Sequence, residues 1–185
     1  PQHEFLADQM WPHHAYGKNA VYDEGHHGNA ILSRFPIVNW ENQDVSAHRF
    51  ESRGLLHCEI GLPGTDHPLH CICVHFGLSA RGRGAQSAAL VKRIKQMVPE
   101  EAPLIIAGDF NDWRNKLSST LAQELQLREV FEASRGRLAR SYPVGMKLLR
   151  MDRIYVRGLE ILHGNVHAWR KISDHAALSA ILALT

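Results

Sequence analysis

At 185 residues, with 44% hydrophobic and 22% charged, the chain is long enough to bury a real core, and its composition excludes a disordered or fibrous polymer. No apolar run approaches the roughly 18–20 residues of a membrane-spanning helix. A formal net charge of +2 gives no argument from total charge for a nucleic-acid partner.

The chain opens on PQHEFLADQMW, without an initiator Met and without a signal peptide's basic and apolar regions. The expectation is an excised or processed segment beginning with a short helical stretch. GNAILS (28–33) and LLHCEIGL (55–62) read as strands. So does LHCICVHF (69–76), where Leu69, Cys71, Cys73 and His75 point one way and His70, Ile72, Val74 and Phe76 the other. The period then changes. From 85 to 98 a helix is predicted, with Leu90, Val91, Ile94, Met97 and Val98 as its apolar stripe, Lys92, Arg93 and Lys95 facing away, and Pro99 and Pro103 bracketing its end. Leu104, Ile105, Ile106 and Ala107 form a continuous apolar run, the signature of a buried central strand. A shorter helix is predicted near 121–127, followed by strands at 151–156 and 160–168. HAALSAILAL (175–184) has the composition of a helix and is read here as a strand. With no repeats and no dividing linker, residues 1–185 read as a single α/β domain, with a monomer favoured.

Cys58, Cys71 and Cys73 make no disulfide framework; buried free thiols and a reducing cytoplasm fit them best. Between 128 and 157, eight Lys/Arg face three acids, a stretch able to contact phosphates or simply to form a solvated face. Thirteen histidines suggest a metal protein, but neither HExxH nor finger spacing occurs.

The chemistry concentrates at strand ends. Asp109 and Asn111 follow the buried run 104–107, Asp152 opens the strand at 152–156, and Asp174 and His175 open the last one. A carboxylate there loses solvation unless a cation or a hydrogen-bond network compensates it.

GNAILSRFPI (28–37), VHFG (74–77), GDFN (108–111), MDRIYV (151–156) and SDH (173–175) follow one another in this order. Together they resemble the endonuclease/exonuclease/phosphatase superfamily, whose members include DNase I-like nucleases, inositol polyphosphate phosphatases and neutral sphingomyelinases. The resemblance covers 28–185 and implies a four-layer α/β sandwich (DNase I-like), two central sheets flanked by helices. It also implies phosphodiester hydrolysis assisted by Mg2+ or Mn2+. By motif match, Asp109 activates water, Asn111 holds the water or a phosphate oxygen, and Asp174 with Asp109 serves the metal. His175 meets the scissile phosphate or transfers a proton, Asp152 orients it, and His75 is a second catalytic histidine. Residues expected near substrate are Asn29, His26, His27, Arg34, Arg53 and Trp113.

One departure stands out. The family's upstream Asn strand and Gln-Glu metal motif have no match, and Glu4 follows His3, not Gln. The expectation is a domain lacking its first strand or strands, a helix and the principal metal ligand. Two alternatives remain beside a nuclease-like diesterase: an esterase acting on phosphomonoesters or phospholipid headgroups, and an inactive binding module of the same fold. A nucleic-acid substrate is possible but not required by the sequence.

Overall fold

The computed structural model describes residues 11–22, 25–48, 51–169 and 172–185. Glu4 and the helical stretch expected around it lie outside the described residues. Among the described residues, ten strands and three helices follow in the order β1 (His13–Tyr22), β2 (Gly25–Ser33), β3 (Ile37–Asp44), β4 (Gly54–Ile60), β5 (Leu69–His75), α1 (Ala80–Met97), β6 (Leu104–Asp109), α2 (Ser118–Leu125), β7 (Arg128–Glu129), α3 (Val130–Arg135), β8 (Asp152–Arg157), β9 (Leu159–His167) and β10 (Ala177–Leu184).

Six strands form one sheet in the order β3-β4-β5-β6-β8-β7. β5 and β6 pair in parallel, which requires a crossover, and α1 is that crossover. Period-2 alternation divides the sheet's side chains between two cores. Leu55, Ile72, Val74, Phe76, Leu104 and Ile106 pack against Leu90 and Ile94 of α1 and Leu121 and Leu125 of α2. On the other face, Leu56, Cys58 and Ile60 meet Ala15 and Ile31 of the β1–β2 hairpin. Val156 and Ile154 there meet Leu178 and Leu182 of the β9–β10 hairpin. Helices, central sheet and a second β layer made of two hairpins are thus stacked on one another.

Most predicted elements lie where the sequence put them, and HAALSAILAL is a strand. Three expectations need correcting. α1 begins five residues earlier than predicted, because Ser79 Oγ accepts the Gly82 N–H at 3.0 Å and caps it. Arg93 does not face away: it is 8% exposed, donating to Glu41 at 2.9 Å and through Nε to His57 Nδ1 at 3.1 Å. Met97, placed on the apolar stripe, is 45% exposed, and Gln86, Ser87 and Gly82 fill the buried face instead. The three thiols are free, and burial pushes Cys58 and Cys71 up to about 12 and Cys73 to about 11, so they stay protonated.

Candidate active site

Strand register assembles the centre of the site. His75 on β5 pairs with Asp109 on β6, and Asp109 pairs with Asp152 on β8. Directly paired residues on neighbouring strands project from the same face. Three polar side chains therefore emerge together, on the face that carries Cys71 and Cys73. Gly108 makes this alignment possible: its φ is +144°, and a Cβ there would lie 1.9 Å from the Val74 carbonyl oxygen.

Beyond β6 the chain turns through Asn111 at φ +50°, a left-handed conformation that Asn tolerates better than most residues. The turn is held by its own polar groups. The Asn111 N–H donates to Asp109 Oδ1 at 2.8 Å, and Asn111 Nδ2 donates to the Phe76 carbonyl at 2.9 Å and to Asp109 Oδ2 at 3.2 Å. Both amide hydrogens are thus engaged inward on a side chain 2% exposed. Asn111 orients the Asp109 carboxylate, and its nitrogen is not turned toward a phosphate oxygen.

His175 comes from the segment before β10, and its Nδ1 lies 2.8 Å from Asp152 Oδ2. The carboxylate accepts, so Nδ1 carries the hydrogen and Nε2 takes no part in this pair. Burial pulls the His175 pKa down, but the Asp152 hydrogen bond and charge, with Asp109 and Asp174, outweigh it and raise it above the ordinary value. His75 behaves oppositely: burial first, then Arg53, His27 and His175, lower it to about 4. It is neutral at pH 7, and its Nε2 lies 3.7 Å from Asp109 Oδ2, too far for a direct hydrogen bond. Burial, helped by the Asp152 charge, raises the Asp109 pKa. One histidine inclined to hold a proton therefore sits beside a carboxylate inclined to take one.

Other expected residues divide. Arg53 lies close enough to act on both His75 and Asp109, and its Nε is buried without a partner. His27 is also near enough for its charge to help lower His75. His26 is exposed and bonded to Tyr16 Oη at 2.8 Å. Asn29 is buried, its amide donating to the Gly54 and Cys73 carbonyls, so it pins β2 onto the central sheet. Arg34 follows the far end of β2, seven residues beyond His27, and a strand's rise of about 3.3 Å per residue takes it roughly 20 Å away. Trp113 packs under the Arg83 guanidinium at 5.1 Å. Asp174 is exposed, and its carbonyl accepts the Val144 N–H.

Three supporting residues were given no place in the site by the sequence. The Tyr142 ring lies 4.8 Å from that of His175. Ser141 accepts the Asp152 N–H through Oγ and the Ala176 N–H through its carbonyl, tying the two halves of the His–Asp pair together. Arg153 is 1% exposed and donates to the carbonyls of Arg150, Asp152 and Asp112.

The sequence pattern of the Endonuclease/Exonuclease/phosphatase family matches residues 2–175. The chain belongs to this family. Its curated relatives include "Uncharacterized protein YbhP" of Escherichia coli K12, 48% identical over 185 residues, 98% of this chain and 73% of YbhP. The endonuclease/exonuclease/phosphatase of Beutenbergia cavernae superposes with a TM-score of 0.79 at 18% identity, covering 98% of this chain and 56% of that one. The human Nocturnin catalytic domain, solved with a bound sulfate anion, superposes at 0.81 with 16% identity, covering 98% and 75%. The fold is the DNase I-like α/β sandwich, and metal-assisted phosphoester hydrolysis is the general chemistry of family members.

Asp109, Asp152 and Asp174 supply carboxylate oxygens, the donor type a hard divalent cation takes. Asp109 and Asp152 face each other across one register pair, and the second charge raises the pKa of the first, a repulsion that a cation relieves. Asp109 and Asp174 offer oxygen donors of the kind Mg2+ takes, usually with several waters. No group of three His, Cys, Asp or Glu forms a protein-only cage among the described residues.

Proposed function

We propose that this chain is a phosphodiesterase in which Asp109 and His175 act on opposite sides of the scissile phosphorus. Asp109 takes a proton from water as its oxygen attacks phosphorus, and His175 Nε2 gives a proton to the departing oxygen, whose bond to phosphorus breaks. Asp152 keeps the imidazole oriented and charged, and Asn111 fixes the carboxylate. Arg53 and neutral His75 line the phosphate's approach. Asp109 and Asp174 would hold Mg2+ or Mn2+, which would supply neutralisation of the phosphate's charge. The observation that carries this reading is the 2.8 Å His175–Asp152 pair beside Asp109 on the next strand.

Hydrolysis of bis-p-nitrophenyl phosphate with Mg2+ or Mn2+ tests it. Asp109→Asn and His175→Ala should each lose roughly 10²-fold or more in turnover while melting as the parent does. Near-parental rates in either variant sink the mechanism. Faster cleavage of p-nitrophenyl phosphate than of the diester would move the reading to a phosphomonoesterase, and nicked DNA against a phospholipid headgroup diester separates the diester classes.

A further inference from the structure

The basic stretch between Arg128 and Arg157 does not act as one unit. Arg153 is buried in carbonyl contacts, and Arg157 is tied to the Pro99 carbonyl at 2.8 Å. Five of the remaining cations, Arg135, Arg137, Arg140, Lys147 and Arg150, converge on one open cavity of about 480 Å3, with Asn165 on its β9 wall. No carboxylate lines it, and none of the five is in an ion pair among the described residues. Arg150 Nε is buried there without a partner. Beside the cavity runs a tight loop in which Lys147 has φ +48° and the N–H groups of Met146 and Leu148 donate to Pro143 and Tyr142. This loop turns its aliphatic residues outward: Met146 is 68% exposed and Leu148 55%.

We propose that this loop and cavity form a docking surface for an anionic phospholipid bilayer, with lipid phosphates in the cavity and Met146 and Leu148 entering the acyl boundary. Cations alone would equally suit a nucleic-acid backbone, but that ligand leaves the two aliphatic side chains with nothing to bury against. The one ring in the cavity wall, Phe131, is 1% exposed, so bases find no stacking platform there. Alternating cations and exposed aliphatic residues match the two layers of a membrane surface, charge outside and hydrocarbon beneath. The same loop is joined to the catalytic segment, since Ser141 O accepts from Ala176 N and Val144 N donates to Asp174 O. Docking would hold His175 at a fixed orientation to the bilayer. No helix among the described residues is long and apolar enough to cross a membrane.

Co-sedimentation of the full chain with phosphatidylcholine vesicles, with and without roughly 30 mol % phosphatidylglycerol, tests this at about 0.15 M salt. Binding is expected only to the anionic vesicles. Arg137→Ala with Arg140→Ala should weaken it about thirtyfold, and Met146→Ser with Leu148→Ser about tenfold or more. All four side chains are exposed, so both variants should melt as the parent does. Equal binding to both vesicle types, no binding to anionic vesicles, or parental binding by both variants overturns the proposal. So does a single-stranded oligonucleotide bound through Arg137 and Arg140 without vesicle binding. Because no turnover is measured, this test stands or falls apart from the phosphodiesterase reading.

Discussion

Acid should destabilise this protein through its buried neutral histidines, and His57 is the one whose share can be isolated. His57 on β4 is 3% exposed, accepts the Arg93 Nε–H on Nδ1 at 3.1 Å, and meets His70 Nδ1 at 2.9 Å through Nε2. Burial, then the charges of Arg93 and His70, lower its pKa from 6.5 to about 4, with Glu41 opposing. His70 is lowered too, mainly by burial. The folded state therefore keeps His57 neutral while the unfolded chain takes up a proton. Stability from this group is fully present above pH 6.5 and is lost as pH falls toward 4. Each pH unit costs about 1.36 kcal/mol, so the full window is worth roughly 3 kcal/mol, of which about 2 kcal/mol disappears between pH 7 and pH 5. Urea unfolding at those two values measures it. In His57→Gln, which can still accept from Arg93 but does not titrate, the drop should be smaller than the parent's by about 2 kcal/mol, with the share from His75, lowered by burial to about 4 as well, left in both proteins. An equal drop in parent and variant, or a His57 resonance titrating near 6.5 in the folded protein, refutes the reasoning.

Asp152→Asn keeps the shape of the His175 partner but removes its charge. Turnover on bis-p-nitrophenyl phosphate should fall by roughly 10²-fold, and the alkaline limb of its pH profile should move to lower pH, because His175 then releases its proton more easily. An unmoved limb would deny the pairing any role in holding that proton. Gly108→Ala puts a Cβ 1.9 Å from the Val74 carbonyl oxygen at φ +144°, and thermal or urea melts should show a loss of at least about 2 kcal/mol. EDTA should abolish hydrolysis, and added Mg2+ or Mn2+ should restore it; activity that survives exhaustive chelation contradicts the metal role.

What was legible in the sequence was whatever has a period or a motif. LHCICVHF alternates cleanly because each of its faces packs on a different layer, and both its direction and its facing were readable. Leu104–Ala107 announced a central strand by lacking any polar residue. β1 and β3 gave no such signal. β3, IVNWENQD, is an edge strand with only one neighbour and mostly exposed side chains, so solvent satisfies it and no apolar alternation is needed. β1 reads HHAYGKNAVY, and little in that composition asks for a strand without its partner β2.

The candidate site divides the same way. GDFN, MDRIYV and SDH brought forward Asp109, Asn111, Asp152 and His175, but residue type alone could not give Asn111 its inward direction. Asn29 and Arg34 were singled out by closeness to a motif along the chain. Distance along β2 removes one, and backbone carbonyls occupy the other. Tyr142 and Ser141 sit ten or more residues upstream of Asp152 and were invisible until the 142–149 turn folded back. Arg93 and Arg153 illustrate a further limit: a long cation looks like surface in sequence, yet both are buried where carbonyls or a carboxylate and a histidine await their hydrogens.

The register pairing of His75, Asp109 and Asp152 has a consequence for how activity is acquired. These residues are neighbours only once β5 and β6, separated by the α1 crossover, have zipped in parallel and β8 has closed on them from far along the chain. Slipping β6 by one residue would send Asp109 to the helix side of the sheet. Chemistry here is thus a late product of assembly, arriving with the slowest, most non-local contacts. During refolding, helical ellipticity from α1 should return first and turnover should follow in step with burial of Phe110 and Tyr155, whose rings meet edge-on 5.3 Å apart beneath the same strand ends. Turnover that returned together with ellipticity would mean the strands align before the rest of the sheet.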